Sequence, residues 1–190
     1  SYQVRANVER QYSNFKAAKP LYQKMVDIAE ESGSTLKGSA YNVMAHNYLF
    51  SGDAETAREN YDRAIALAKS PIAVVNLSFY KLNSYLFQND YEGALLLAQD
   101  LYNKLNHLGF TEASLNQQKA RVEFAKFLSY ANNQQKEEAY SALNTRKNYA
   151  AAAMALMDVD EVRQRNFDAY NAQMEAWYYI LFGEYDKAEE

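Results

Sequence analysis

Few side chains in this 190-residue chain are suited to chemistry, and they lie far apart in the sequence. His46 and His107 are the only histidines, and the chain has no cysteine. Protein zinc sites combine several Cys, His or carboxylate ligands at short, recognisable spacings such as HExxH, and neither histidine has such neighbours. The sequence therefore predicts no metal site and no bound cofactor. His46 is expected to serve as a hydrogen-bonding group.

The acidic residues are grouped at three places, Glu30-Glu31, Glu137-Glu138 and Asp158-x-Asp160-Glu161. All three places fall at the ends or polar faces of predicted helices, where carboxylates usually cap the helix or are solvated. The sequence contains no nucleophile elbow and no phosphate-binding glycine loop, and its 6 glycines leave little material for one. We therefore predict that the protein is not an enzyme.

The composition favours a helical protein without nucleic-acid or membrane partners. Hydrophobic residues make up 48% of the chain, whereas 6 Gly and 2 Pro leave few places for tight turns. The formal charge of −4 comes from interspersed signs, so no basic stripe is available to bind nucleic acid. No uncharged run approaches the roughly 20 residues of a membrane span. We expect a soluble protein, and its compartment, cytoplasmic or exported, stays open.

Residues 41 to 67 show how helices are expected to hold these side chains. Tyr41, Met44, Ala45 and Tyr48 recur at the spacing of one helix face. Gly52 can then close the helix in a left-handed conformation, and the next residue, Asp53, can cap a second helix. A small residue, Ala57, follows at the closest approach of the two helices, with Tyr61 and Ala64 continuing the buried side. This stretch predicts an antiparallel helix pair.

Weaker copies of the same turn occur four more times, and each ends in a small residue. The small residues of the five copies are Ala18, Ala57, Ala94, Ala139 and Ala188. Helices are predicted near 3–13, 15–31, 36–51, 53–69, 71–88, 90–108, 112–132, 135–157 and 159–182, with another beginning at Glu184. Asp53, Ser70, Asp90, Thr111 and Asp158 are the predicted N-caps.

These copies resemble the tetratricopeptide repeat family over residues 11–190, most clearly between residues 41 and 71. The resemblance implies an all-α solenoid of antiparallel helix pairs, a tetratricopeptide-like superhelix with about 9–10 helices, forming one domain over residues 1–190. Lys81, Lys126 and Glu175 depart from the family, which usually has a buried leucine there, and Pro20 is expected to kink its helix. Because the last copy stops in mid-helix at Glu190, we expect the chain to be part of a longer protein.

In this family the first helix of each pair lines a concave groove that holds a protein or peptide segment. Carried over to this sequence, the groove residues are Asn42, His46, Phe50, Phe79, Asn83, Phe87, Arg121, Phe124, Leu128, Gln173 and Trp177. This set is aromatic and rich in amides, which suits an extended peptide. Members of the family that clamp a terminal carboxylate carry several basic groove residues. Here only Arg121 lies near such a position, so a carboxylate clamp is not predicted.

The resemblance therefore implies a non-enzymatic scaffold that binds a protein or peptide. An alternative is a sensory or regulatory repeat domain of a bacterial signalling protein, a kinase or a transcription regulator. Near the C-terminal end, Phe167, Tyr170, Met174, Trp177 and Leu181 also follow the spacing of a coiled-coil seam. If this seam pairs with a second copy, the protein is a homodimer through its C-terminal helices. Ordinary packing inside the repeat is the simpler interpretation of a run only two heptads long.

Overall fold

The computed structural model describes residues 1–188 and is helical throughout. Over these residues it contains no strand and ten helices. They are α1 (Tyr2–Gln11), α2 (Phe15–Glu31), α3 (Lys37–Phe50), α4 (Ala54–Ala66), α5 (Pro71–Phe87), α6 (Tyr91–Leu105), α7 (Glu112–Asn132), α8 (Lys136–Ala155), α9 (Glu161–Leu181) and α10 (Tyr185–Ala188). The predicted helix map and the all-α class are confirmed. Helix α2 continues through Pro20.

A left-handed residue follows every odd-numbered helix and turns the chain into the next one. These residues, with their φ angles, are Ser13 (58°), Gly52 (90°), Asn89 (58°), Gln134 (59°) and Gly183 (73°). At Gly52 the turn is closed by the Asp53 N–H, which donates to the Tyr48 carbonyl at 2.9 Å. Glycine adopts this conformation without the cost that a Cβ atom imposes, which explains its choice here.

Side-chain caps begin most of the helices that follow these turns, as the sequence predicts. The Asp53 carboxylate accepts a hydrogen bond from the Thr56 N–H at 3.1 Å, and Asp90 accepts one from Gly93 at 2.9 Å. Ser70 and Thr111 cap α5 and α7 in the same way. The predicted cap at Asp158 is wrong, because α9 begins at Glu161 and Asp160 caps it.

The small residues after the turns let paired helices approach closely. Ala18, Ala57, Ala94 and Ala139 have no exposed surface, while Ala188 is half-buried. A larger side chain at the four buried positions would force the helices apart. The chain forms two compact units, residues 1–89 and the residues from Asp90 onward. One continuous domain over residues 1–190 stays a prediction, and residues 189 and 190 lie outside the described part.

Within each unit, every helix packs against the next one along the chain, as expected for a helical repeat. In unit 1, residues 1–89, the core contains Tyr22 and Tyr61, both fully buried, with alanines filling the helix crossings. In unit 2, from Asp90 onward, a core cluster forms around Phe127, which has no exposed surface, between Leu143, Met174 and Tyr178. These cores hold the odd-numbered helices in place.

Charged pairs replace the buried leucines that the family usually has. The Lys81 ammonium binds Asp62 of the preceding helix at 2.7 Å. Lys126 binds Glu123 at 2.9 Å, and its ammonium lies 4.9 Å from the ring centre of Tyr102 in α6. Glu175 of α9 accepts from Lys147 of α8 at 2.6 Å. Each departure from the repeat pattern thus has a partner close by.

Candidate functional site

The predicted site residues of α3 form one row along the helix. Asn42, His46 and Phe50 are spaced four residues apart, so they lie on the same side of the helix. Asn42 and His46 are half-buried, and the Phe50 side chain is 49% exposed. The structure therefore brings these three predicted residues together in unit 1.

His46 is held in a defined orientation by its own helix. Its Nδ1 lies 2.8 Å from the Asn42 carbonyl oxygen, and because a carbonyl only accepts, Nδ1 carries the proton in this bond. The ring contacts Tyr80 of α5 edge-on at 4.7 Å and Tyr61 of α4 at 5.5 Å between centroids. In the neutral ring, Nε2 is left as a hydrogen-bond acceptor.

On α5 the structure shifts one predicted position by a single residue. Phe79 was expected in the groove, but its side chain is only 7% exposed and lies in the interior. The neighbouring residue, Tyr80, is 40% exposed and faces His46 instead. Asn83 and Phe87 follow Tyr80 at helical spacing, and both are exposed, Phe87 by 67%. Tyr80, Asn83 and Phe87 therefore form the outer row of α5.

Three residues that the sequence analysis missed complete the site in unit 1. The Arg10 guanidinium of α1 lies 5.9 Å from the ring centre of Phe50. Tyr61 and Tyr80 contact His46 from the opposite side. Tyr80 could have been found from its helical spacing with Asn83 and Phe87, whereas Arg10 precedes the first copy of the repeat. We define the His46 cluster as Arg10, Asn42, His46, Phe50, Tyr61 and Tyr80.

A cleft of about 460 Å³ adjoins the His46 cluster. It lies between the beginning of α3, the end of α4 and the first turns of α5. Asn42 and Tyr80 line it together with small and polar residues such as Ser39 and Ala73. The cleft gives a polypeptide room to pass beside the cluster.

In unit 2, helix α7 carries three predicted site residues. Arg121 is exposed, and its guanidinium donates to the Gln118 side chain at 2.7 Å. Phe124 and Leu128 are half-buried and pack on the core cluster around Phe127. Because these positions are three and four residues apart, they share one side of α7. Arg121 therefore stands at the polar end of an otherwise apolar row.

Helix α9 carries the other two predicted residues of unit 2. Gln173 is exposed, and Trp177 is 37% exposed with its ring edge-on to Phe127 at 6.0 Å. Of the predicted coiled-coil seam, Met174 is buried in the core, whereas Tyr170 and Leu181 are 40% and 38% exposed. Pairing of this seam with a second copy stays a prediction.

A pH dependence of stability is expected from His46. Burial, together with the nearby positive charge of Arg10, lowers the pKa of His46 below its ordinary value of 6.5. The unfolded chain therefore takes up a proton at a higher pH than the folded chain does. His46 thus favours the folded state fully above pH 6.5, and this contribution is lost as the pH falls below that value.

Urea unfolding at pH 7.0 and 5.5 measures this effect as a fall in the free energy of unfolding. The variant His46→Gln should show a smaller fall than the unchanged chain. The exposed His107 provides the control, because His107→Gln should retain the full fall. An equal fall in the His46→Gln variant would contradict the assignment.

Metal binding and membrane insertion were also searched for. Among residues 1–188, no group of three or more His, Cys, Asp and Glu side chains is arranged to hold a metal ion. No helix in the same range is both long and apolar enough to cross a membrane.

Comparison with known proteins gives matches in structure but not in sequence. No family model matches the chain, and no curated protein matches it. A kinesin light chain of Podosopora anserina with nearly identical TPR-like repeats is similar over 99% of this chain and 87% of its own, with 16% identity and a TM-score of 0.66. BtubC (BKLC) from P. vanneervenii is similar over 99% and 74%, with 17% identity and a TM-score of 0.68.

A third solved structure, a double mutant of MamA from RS-1, is similar over 99% of this chain and 86% of its own. Its identity is 14% and its TM-score 0.58. Likeness at these identities describes the fold, and it agrees with the helix pairs, left-handed turns and buried alanines described above. The chain has the all-α fold of the tetratricopeptide-like helical solenoid proteins.

Proposed function

We propose that this protein is a non-catalytic scaffold that binds a protein or an extended peptide segment on the outer rows of its odd-numbered helices. The observation that carries the proposal is the exposure of aromatic rings in unit 1. Phe50, Tyr80 and Phe87 are 49%, 40% and 67% exposed, on helices whose other sides are well packed. Exposed aromatic groups on a rigid framework are typical of binding surfaces.

The chemistry of these rows suits a polypeptide in an extended conformation. Phe50 and Phe87 can bury apolar side chains of the partner, and the exposed Asn83 amide can both donate to and accept from its backbone. Because α3 and α5 are fixed by the core beneath them, little ordering is needed on binding. Affinity would therefore depend on this rigidity more than on contact area.

Unit 2 offers a second row of similar chemistry. Trp177 is partly exposed above Phe127, and Phe124 and Leu128 lie half-buried on α7, with Gln173 and Arg121 as polar groups. Tryptophan and arginine are the residue types that most often dominate binding energy at interfaces. We expect this row to bind peptide residues in the same manner.

Selection from a random dodecapeptide phage library on the immobilised chain tests the proposal. We expect the selected peptides to share a consensus containing apolar residues. A synthetic consensus peptide should bind the unchanged chain and lose about tenfold or more in affinity with the double variant Asn83→Ala/Phe87→Ala. Fluorescence anisotropy with a labelled peptide measures both affinities.

A matched control uses Leu96, which is on α6 and is 68% exposed, close to the exposure of Phe87. Leu96→Ala should leave the affinity unchanged, and circular dichroism should show that all variants fold. Failure to select any consensus would refute the scaffold proposal. Equal affinity of the double variant and the unchanged chain would refute the assignment of α5.

A further inference from the structure

The Arg10 guanidinium carries a positive charge for which the described chain supplies no counter-charge. Arg10 is half-buried on α1, and it forms no ion pair with any residue between 1 and 188. Its Nε is buried and has no hydrogen-bond partner among those residues. Its nearest contacts are the Phe50 ring, at 5.9 Å, and the neutral hydroxyl of Tyr22. A partly buried charge is costly unless something pairs with it.

Other polar groups around Arg10 lack partners as well. Within residues 1–188, four buried side-chain atoms have no hydrogen bond: Arg10 Nε, Asn42 Oδ1, Asn47 Oδ1 and Tyr61 OH. Three of these four belong to the His46 cluster, and Tyr61 has no exposed surface at all. Buried polar groups are almost always satisfied in folded proteins, so their concentration at one place requires an explanation.

The electrostatics of the cluster indicate what would satisfy these groups. His46 donates its Nδ1 proton to the Asn42 carbonyl, and its burial favours the neutral ring. The tyrosines Tyr61 and Tyr80 are neutral too. Arg10 is therefore the one charged side chain of the His46 cluster. An anionic group placed against it would gain a charge-assisted hydrogen bond and could accept another from the Tyr61 hydroxyl.

We propose that Arg10 and the Tyr61 hydroxyl bind the carboxylate of an Asp or Glu side chain of the partner polypeptide, beside the rings of Phe50 and Tyr80. A single guanidinium matches a carboxylate in charge and in fork geometry. A phosphate group, with up to two negative charges, would require further cations, and the cluster has none. This site differs from a clamp for a terminal carboxylate, which uses several basic residues. The inference rests on the proposed scaffold function and names the chemistry of one subsite.

The same phage library distinguishes this inference from the function on which it rests. Peptides selected on the unchanged chain should be enriched in Asp or Glu at one fixed position of the consensus. Arg10→Met should abolish the enrichment at that position but still select apolar residues. Arg5→Met is the matched control, because Arg5 is exposed on the same helix and the change in net charge is identical. It should retain the enrichment.

Synthetic peptides then give the size of the effect. Replacing the acidic residue of the consensus by its amide should weaken binding to the unchanged chain about tenfold, the difference expected between a charged and a neutral hydrogen bond. With Arg10→Met the same replacement should change the affinity less than about twofold. The melting temperature of Arg10→Met should be equal to or higher than that of the unchanged chain, because an unpaired cation is removed.

The outcomes separate the two proposals. If no consensus is selected, the scaffold function and this inference both fail. If a consensus without an acidic position is selected, only the inference fails. It fails also if the acidic position persists with Arg10→Met, or if a phosphorylated residue binds the unchanged chain more tightly than the carboxylate. A clear drop in the melting temperature of Arg10→Met would identify Arg10 as a structural residue and overturn its role in binding.

Discussion

Replacing Phe127 by alanine is expected to lower the free energy of unfolding by about 3–5 kcal/mol, the usual cost of removing a fully buried ring. Phe127 has no exposed surface and packs among Leu143, Met174 and Tyr178. The surrounding helices cannot close the resulting space fully, because the small residues at their crossings already allow close contact. Urea unfolding followed by circular dichroism measures the loss.

The same substitution should be visible at the candidate site. Trp177 is the only tryptophan in the chain, and its ring contacts Phe127 edge-on at 6.0 Å. Its fluorescence emission should therefore shift to longer wavelength in Phe127→Ala, as water reaches the indole. The control Leu96→Ala, at an exposed position, should cost less than about 0.5 kcal/mol and leave the emission unchanged. A loss below about 1 kcal/mol for Phe127→Ala would contradict the packing described for unit 2.

A second large effect is expected when the pair between Lys126 and Glu123 is broken. The side chains are only 14% and 9% exposed, and their charged atoms are 2.9 Å apart. Glu123→Leu leaves the Lys126 ammonium inside the protein without its carboxylate, at a cost of about 3 kcal/mol. The Tyr102 ring beside the ammonium offsets only part of this cost.

The double variant Glu123→Leu/Lys126→Leu distinguishes this explanation from simple loss of contacts. Leucine at position 126 restores the residue type that the repeat family usually has there, and no charge remains buried. We expect the double variant to be within about 1 kcal/mol of the unchanged chain, and thus more stable than either single variant. If its loss equals the sum of the single losses, the two residues act independently and the interpretation fails.

The helices and turns could be predicted from the sequence because their signals are local. Apolar residues at helical spacing, Gly52 as a helix end and Asp53 as a cap each depend on a few neighbouring residues. The buried alanines followed from the repeat, since the same small residue recurs after each turn. Only the start of α9 was misplaced. Asp158 and Asp160 are both suitable caps, and the sequence does not distinguish between them.

The candidate site could be predicted only in part because it depends on how each helix is rotated. Phe79 and Tyr80 are neighbours, but a step of one residue turns a side chain by roughly 100° around the helix, so the interior and the outer row are exchanged. Arg10 lies before the first copy of the repeat, and no repeated position identifies it. The pairing of Lys126 with Glu123 fits the spacing of a helix, but its burial depends on α6, which is distant in sequence.

The charged pairs of Lys81, Lys126 and Glu175 also make the helices of this protein non-interchangeable. In a repeat built from identical units, a helix that slips onto the wrong neighbour during folding finds an equally good partner. Here Lys81 needs Asp62, and Glu175 needs Lys147, so a misplaced helix would leave a charge unmatched. The order of the repeats is therefore encoded in their contacts, and exchanging two helix pairs by gene rearrangement should yield a chain that folds poorly.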